Sequence, residues 1–139
     1  MAEDPREWNR SIIEEFRSGG GTTRIFGRNL VLLHHRGAKT GTERVTPLIA
    51  RHPDPSTWLL SASANGAPHN PAWYHNLVAH PDDVQIETPD DGTVPVRAED
   101  LSGPAREKAW AQFVSFSDRY TGYQEKTTRT IPVLALHRQ

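Results

Sequence analysis

Apolar positions repeat along this chain with two different periods. Near the start Trp8, Ile12 and Phe16 recur every four residues, with Ile13 beside them. That spacing predicts a short amphipathic helix with one apolar stripe. Asp4-Pro5-Arg6-Glu7 supplies its start: Asp4 as cap, Pro5 in the first turn and Glu7 at capping-box spacing. Gly19-Gly20-Gly21 ends the helix and reads as a flexible link. Further on, Leu30 to His35 is an unbroken apolar run, which predicts a strand buried on both faces. Val45 to Arg51 is a second strand, and the intervening loop makes the two a hairpin. Pro47 cannot donate to a ladder, so it marks an edge, a bulge or a place where another group approaches the backbone. Trp58 to Ser63 is a third strand whose side chains shrink toward its end. Small residues there suit either a flat ligand against the backbone or a packed helix.

Asn70-Pro71 reads as a cap followed by proline, opening a helix through Trp73, Tyr74, Leu77 and Val78 that stops before Pro81. Val84, Ile86 and Thr88 alternate with polar residues, and Val94, Val96 and Ala98 do so again beyond the Asp90-Asp91-Gly92 turn. Pro95 points to an edge. Ser102-Gly103-Pro104 starts a longer helix with Ala105, Ala109, Phe113, Trp110 and Val114 on its apolar face. Ser117 to Thr130 is polar and carries two tyrosines, and Ile131 to Leu136 closes the chain as a strand. About six strands in sequential hairpins with three flanking helices make an antiparallel α+β domain. Strands so interrupted by proline curl or close rather than lie flat, so a small barrel with outer helices is the expected architecture. The expected division is residues 1–21, helix and glycine linker, and residues 22–139, the barrel.

Composition narrows the function. A chain of 139 residues fits one domain with a modest core. A net charge of −1 with mixed signs lacks the basic stripe that nucleic acid requires. The absence of cysteine excludes disulfides, thiol nucleophiles and iron–sulfur clusters. No apolar run reaches membrane-spanning length and the start is no signal peptide, so a cytoplasmic location is expected. His34 and His35 point to opposite strand faces, and His75 and His80, five apart, do not share a helix face. No metal site is therefore expected. Ser63 lacks the first glycine of a nucleophile elbow, and Asp82-Asp83 and Asp90-Asp91 lie in turns.

One stretch organises the rest: Gly37-Ala38-Lys39-Thr40-Gly41-Thr42-Glu43-Arg44, between the first two strands. Gly37 and Gly41 allow a tight turn with exposed N–H groups, Lys39 and Arg44 bring positive charge, and Thr40 and Thr42 bring hydroxyls. Such a loop suits a phosphate, and it reads equally as an ordinary solvated hairpin turn. Its glycine spacing is not that of a P-loop. Trp73 and Tyr74 lie beside the small-residue strand end, as a cofactor wall or as helix packing. Tyr120 and Tyr123, three apart, can share a helical face, as phenols for a substrate or as part of the core.

Taken together and in order, these blocks resemble the deazaflavin-dependent nitroreductase family, which uses coenzyme F420. They are Gly37 to Arg44, Val45-Thr46-Pro47-Leu48, Ser63-Ala64-Asn65-Gly66, Asn70-Pro71-Ala72-Trp73-Tyr74-His75-Asn76-Leu77 and Arg129-Thr130-Ile131-Pro132-Val133. The resemblance runs from Leu30 to Leu136 and implies a split β-barrel. It implies that Gly37, Lys39, Thr40, Gly41 and Arg44 hold the cofactor phosphate. Pro47, Leu48, Ile49, Ala62 and Ser63 would form the wall along the deazaflavin ring, and Trp73, Tyr74 and Asn76 its other side. Tyr120 and Tyr123 would face the substrate. Ala38 stands where many members have arginine, Ala64 where some have lysine, and Ser117 where some have tyrosine. Each missing cation removes a contact worth roughly 1.5–3 kcal/mol, unless Arg36 or Arg24 compensates.

The implied activity is hydride transfer from reduced F420 to an electron-poor small molecule: a quinone, an enone or a nitroaromatic. Tyr120, Tyr123 or solvent would supply the proton, and backbone N–H groups at Pro47 to Ile49 would meet the ring carbonyls. The rivals are an FMN- or heme-binding split-barrel protein, with FMN as alternative cofactor, and a non-catalytic F420 carrier. Nothing in the sequence excludes an oligomer.

Overall fold

The computed structural model describes residues 5–139. Its elements are α1 (Pro5–Ser18), β1 (Leu30–Arg36), β2 (Glu43–Asp54), β3 (Thr57–Ser61), α2 (Ala72–Ala79), β4 (Val84–Thr88), β5 (Gly92–Asp100), α3 (Gly103–Phe116), α4 (Arg119–Glu125) and β6 (Val133–Arg138). A single 3₁₀ turn, Ala64–Gly66, lies between β3 and α2. The strands close into a barrel in the order β1-β2-β3-β6-β5-β4, and β4 returns to β1. Every pairing is antiparallel.

The hydrophobic pattern accounts for the layers. Alternate residues of all six strands point inward, among them Val31, Leu33, Leu60, Ile86, Val96 and Leu136, and fill the barrel. Strands β4 and β5 bury that face alone, hence their strict alternation. The unbroken runs of β1, β3 and β6 have helices on their outer face as well. Leu30 and Leu32 pack under Ile12 and Phe16 of α1. Leu59, Val133 and Ala135 pack under Ala109 and Phe113 of α3 and Tyr120 of α4. A fully buried side chain such as Phe113 contributes about 1.5–3 kcal/mol by leaving water.

Strand β2 exchanges partners part-way along its twelve residues. Glu43 to Ile49 pair with β1, whereas pairing to the five-residue β3 begins at Ala50. The first seven residues of β2 therefore have one strand neighbour only. The Ala50 N–H donates toward β1, to Asn29 O at 2.9 Å. Alternation then turns the backbone N–H and C=O positions of Val45, Pro47 and Ile49 away from β1, to the open side. Pro47, opposite Leu32, thus costs no ladder bond.

Several expectations change. Four α-helices replace three among the described residues, because the polar stretch after Ser117 holds α4. Asn70 does not cap α2: its Oδ1 accepts from Arg129 instead, and the cap position is Pro71. The helical cap at Asp4 lies outside the described residues. The glycines after α1 form a defined terminus rather than a flexible link. Gly21 N donates to Phe16 O at 2.8 Å around a left-handed Gly20, the bond pattern of a Schellman cap. Gly21 itself has φ +93°, and a Cβ there would stand 2.5 Å from Pro89 Cα. Gly21→Ala should therefore destabilise the fold by at least about 2 kcal/mol, read from urea denaturation midpoints.

Candidate functional site

The open side of β2 borders a groove of about 300 Å³. Pro47, Leu48 and Ile49 form one bank, and Ser61, Ser63, Ala64 and Asn65 the other. Trp73 of α2, Trp8 and Ile12 of α1, and Tyr120 and Tyr123 of α4 complete it. A second cavity of about 430 Å³ adjoins through Phe26, Ile49, Tyr120 and Tyr123 and extends to Ile25, Phe116, Ser117 and Arg119. Arg51 lies over the Phe116 ring, 4.1 Å from its centroid.

The β3-side bank has unusual backbone. Ser63 is right-handed helical, and Ala64, Asn65 and Gly66 follow at φ +46°, +56° and +81°. A single right-to-left step such as Ser63–Ala64 turns adjacent N–H groups into a hollow that suits an anion or a carbonyl oxygen. Left-handed Ala64 costs about 1–2 kcal/mol. Arg129 holds the segment in place. Its guanidinium donates to the carbonyls of Ala62, Ser63 and Ala67 at 3.2, 3.0 and 3.0 Å and to Asn70 Oδ1 at 2.7 Å. Gly66 lets α4 come close, since a Cβ there would meet Tyr123 O at 2.9 Å. That approach sets the two tyrosines over the groove.

Tyr120 is buried against Phe113, Trp110 and Tyr123 in edge and tilted ring contacts. Burial above all, then Tyr123, pushes its phenol up to about 12. Among the described residues its hydroxyl has no hydrogen-bond partner. Such a group stays protonated at neutral pH and can donate to a ligand that supplies an acceptor.

The loop joining β1 to β2 stands at the other end of the open edge. It is closed by Gly37 N to Thr42 O (2.9 Å) and Gly41 N to Gly37 O (2.8 Å). Thr42 N donates to Thr40 Oγ1 at 3.2 Å. The Lys39 ammonium and the Lys39 and Thr40 N–H groups have no partner among the described residues. Arg44 turns back to this loop, its Nε 3.8 Å from where a Cβ of Gly37 would be. Thr46, Leu48 and Ala50 share a strand face with Arg44, so about 13 Å of strand separates Arg44 from Leu48 in the groove. The cationic loop and the groove are thus ends of one edge.

Not every expected residue lines that edge. Ala62 is fully buried in the barrel interior. Tyr74 turns away, its hydroxyl 2.5 Å from Asp100 Oδ2, and burial and that carboxylate raise its phenol to about 12. Asn76 is buried beneath the loop, bound to Ala38 N at 2.8 Å. Neither candidate compensating cation is free. Arg36 pairs with Asp83 and also donates to Gly41 O at 3.2 Å, and Arg24 lies 3.7 Å from Glu15. Arg129 had no role assigned from sequence beyond its place in a block. Ala64 gave no sign of its left-handed backbone, although the adjacent Asn65-Gly66 is a turn signal.

Residues 8–138 match the family described as F420H(2)-dependent quinone reductase. The chain is 40% identical over 112 residues to the F420H(2)-dependent quinone reductase of Mycobacterium tuberculosis, covering 78% of this chain and 73% of that one. A solved structure described as a domain-swapped dimer superimposes at a TM-score of 0.73 with 33% identity, over 96% of this chain and 100% of the other. The structure of an F420-H2 dependent reductase (FDR-A) gives 0.71 with 35% identity, over 79% and 95%.

Removing the Arg129 clamp should open the β3-side bank. Arg129→Ala leaves three carbonyls and an amide oxygen unpaired and should cost about 2–4 kcal/mol. Hydrogen exchange should accelerate first at residues 62–70.

Proposed function

The chain belongs to the F420H(2)-dependent quinone reductase family, and from that premise we propose how its own residues carry the reaction. It is an F420-dependent oxidoreductase on a split β-barrel, and no described helix is long and apolar enough to cross a membrane. The residues fit a cofactor that is anionic at one end and flat at the other. An unpaired ammonium and two free N–H groups stand at the loop, and a one-sided strand edge leads to an aromatic groove. When bound, reduced F420 supplies a hydride to an electron-poor acceptor.

Lys39, Arg44 and the loop around Gly37, Thr40 and Gly41 bind the phosphate by charge and by N–H donation. The edge from Pro47 to Ile49, the hollow at Ser63 and Ala64, and Trp73 would hold the ring. Burial between the two banks would position it and exclude water. Tyr120 keeps its proton at neutral pH and donates a hydrogen bond, then the proton, to the oxygen of the acceptor as negative charge develops there. Tyr123 and Ser117 face the adjoining cavity, through which the acceptor enters and a solvent proton returns to Tyr120. A quinone fits this cavity because it presents two carbonyl oxygens on a flat apolar ring. The dimeric structural neighbour supports self-association of this chain also.

The observation that carries this reading is the single-neighbour half of β2, which links the free cationic loop to the groove. In fluorescence titrations the chain should bind F420 and not FMN, and failure to bind F420 would sink the reading. Lys39→Ala should weaken F420 binding at least tenfold, about 1.4 kcal/mol, with an unchanged melting temperature. Tyr120→Phe should lower kcat with a simple benzoquinone by about 10²-fold, while F420 affinity stays within a few-fold.

A further inference from the structure

Beneath the anion loop a run of hydrogen bonds fixes the place of one proton. The Ala38 N–H is a donor at every pH, and it lies 2.8 Å from Asn76 Oδ1, so that oxygen accepts. The other end of the amide, Nδ2, is then a donor, and it lies 2.9 Å from His35 Nδ1. His35 Nδ1 must therefore accept and carry no proton. The neutral ring holds its proton on Nε2, which donates to Thr46 Oγ1 at 2.9 Å. His35 and Asn76 are 3% and 6% exposed, so no water can substitute freely for either partner.

The surroundings favour the neutral ring. Burial first, then the positive Arg44 on β2 and the neighbouring His34, hold the imidazole down at about 4. His34 itself faces outward between Glu43 and Glu87. Arg36, Glu43, Asp82 and Asp83 line the polar cleft that reaches the other side of His35.

We propose that His35 is a positioning residue for the cofactor-binding loop: by accepting from Asn76 it locks the amide that ties Ala38 to α2. The proposal rests on the reading that this loop holds the anionic part of the cofactor. Asn76 follows Trp73 by three residues on the same helix, so one rigid element sets both the loop and the ring end of the groove. Without an acceptor at His35 the buried NH₂ group is left unsatisfied, and only the Ala38 N–H still fixes the amide. Asn76 then shifts to find a partner, and the tether to the loop weakens. The neutral amide also accounts for the choice of asparagine: a carboxylate there would repel the phosphate it helps to seat.

Two variants and one spectroscopic measurement test this. ¹⁵N NMR of the cofactor-free chain at neutral pH should show His35 as the Nε2–H tautomer, and an Nδ1–H tautomer would overturn the proposal. His35→Gln keeps an acceptor within reach of Asn76, whereas His35→Leu removes it. His35→Leu should shift the Ala38 amide resonance and weaken F420 binding at least tenfold. His35→Gln should restore the resonance and bring affinity to within threefold of the parent. A wild-type Ala38 resonance in His35→Leu would equally overturn the role assigned to His35. Should His35→Leu not fold, the tautomer and the Gln variant decide. Failure of the parent to bind F420 would strike the functional reading alone, because the tautomer and the Ala38 resonance are read without cofactor.

Discussion

A strand of twelve residues cannot be paired on both edges along its whole length by neighbours of seven and five. From that mismatch the rest of the molecule follows. The barrel closes because β1 takes the first half of β2 and β3 takes the second. Each half of β2 is thereby satisfied on at least one side, and the switch at Ile49 and Ala50 leaves a short open edge inside an otherwise closed sheet. Backbone groups on such an edge need partners. In most proteins a further strand or water supplies them. Here helices α1, α2 and α4 cover the edge without filling it, and a groove remains.

Electrostatics then gives the groove a direction. Of the basic side chains near the β1–β2 corner, Arg36 is committed to Asp83 and His34 lies between two carboxylates, while Arg17 of α1 pairs with Glu87 of β4. Lys39 on the loop and Arg44 beside it form no ion pair among the described residues and keep their charge for something else. At the far end stands the Tyr120 phenol, a donor with no protein partner among the described residues, which burial holds protonated to well above its ordinary range. An anion is favoured at one end and a hydrogen-bond acceptor at the other. That polarity suits a molecule with a phosphate tail and a reacting ring, and it opposes the reverse orientation.

The strands could be read from the chain because burial on one or two faces leaves different apolar patterns, and β1 and β5 illustrate the two cases. Strand β2 was underestimated at both ends, since Glu43, Arg44 and residues 52–54 are polar positions that only the barrel geometry keeps extended. Asn70 looked like a cap because Asn-Pro usually is one locally; its partner, Arg129, is 59 residues away. Helix α4 was hidden because its one buried side is built from two tyrosines and not from an aliphatic stripe. The loop bearing Lys39 and Arg44 stood out from its charge and glycine spacing. Where Ala62, Tyr74 and Asn76 point did not, because residues of one motif can face three different places. A resemblance carries residue order, and only packing decides which side chains face the same cavity.

The division of labour between sheet and helices bears on how such a protein changes over generations. The cationic loop proposed for the anionic end of the ligand joins two paired strands of the barrel, where an altered backbone would disturb the ladder. The chamber beyond Tyr120 is walled mainly by α4 and by Ile25, Phe26 and Phe116, with Ile49 of β2 its one strand residue. Most side chains there lie outside the strands and can be exchanged without disturbing the ladder. Descendants of this fold can therefore diversify what they reduce while keeping what they reduce it with, and the breadth of acceptors within one lineage becomes a property of its outer helices.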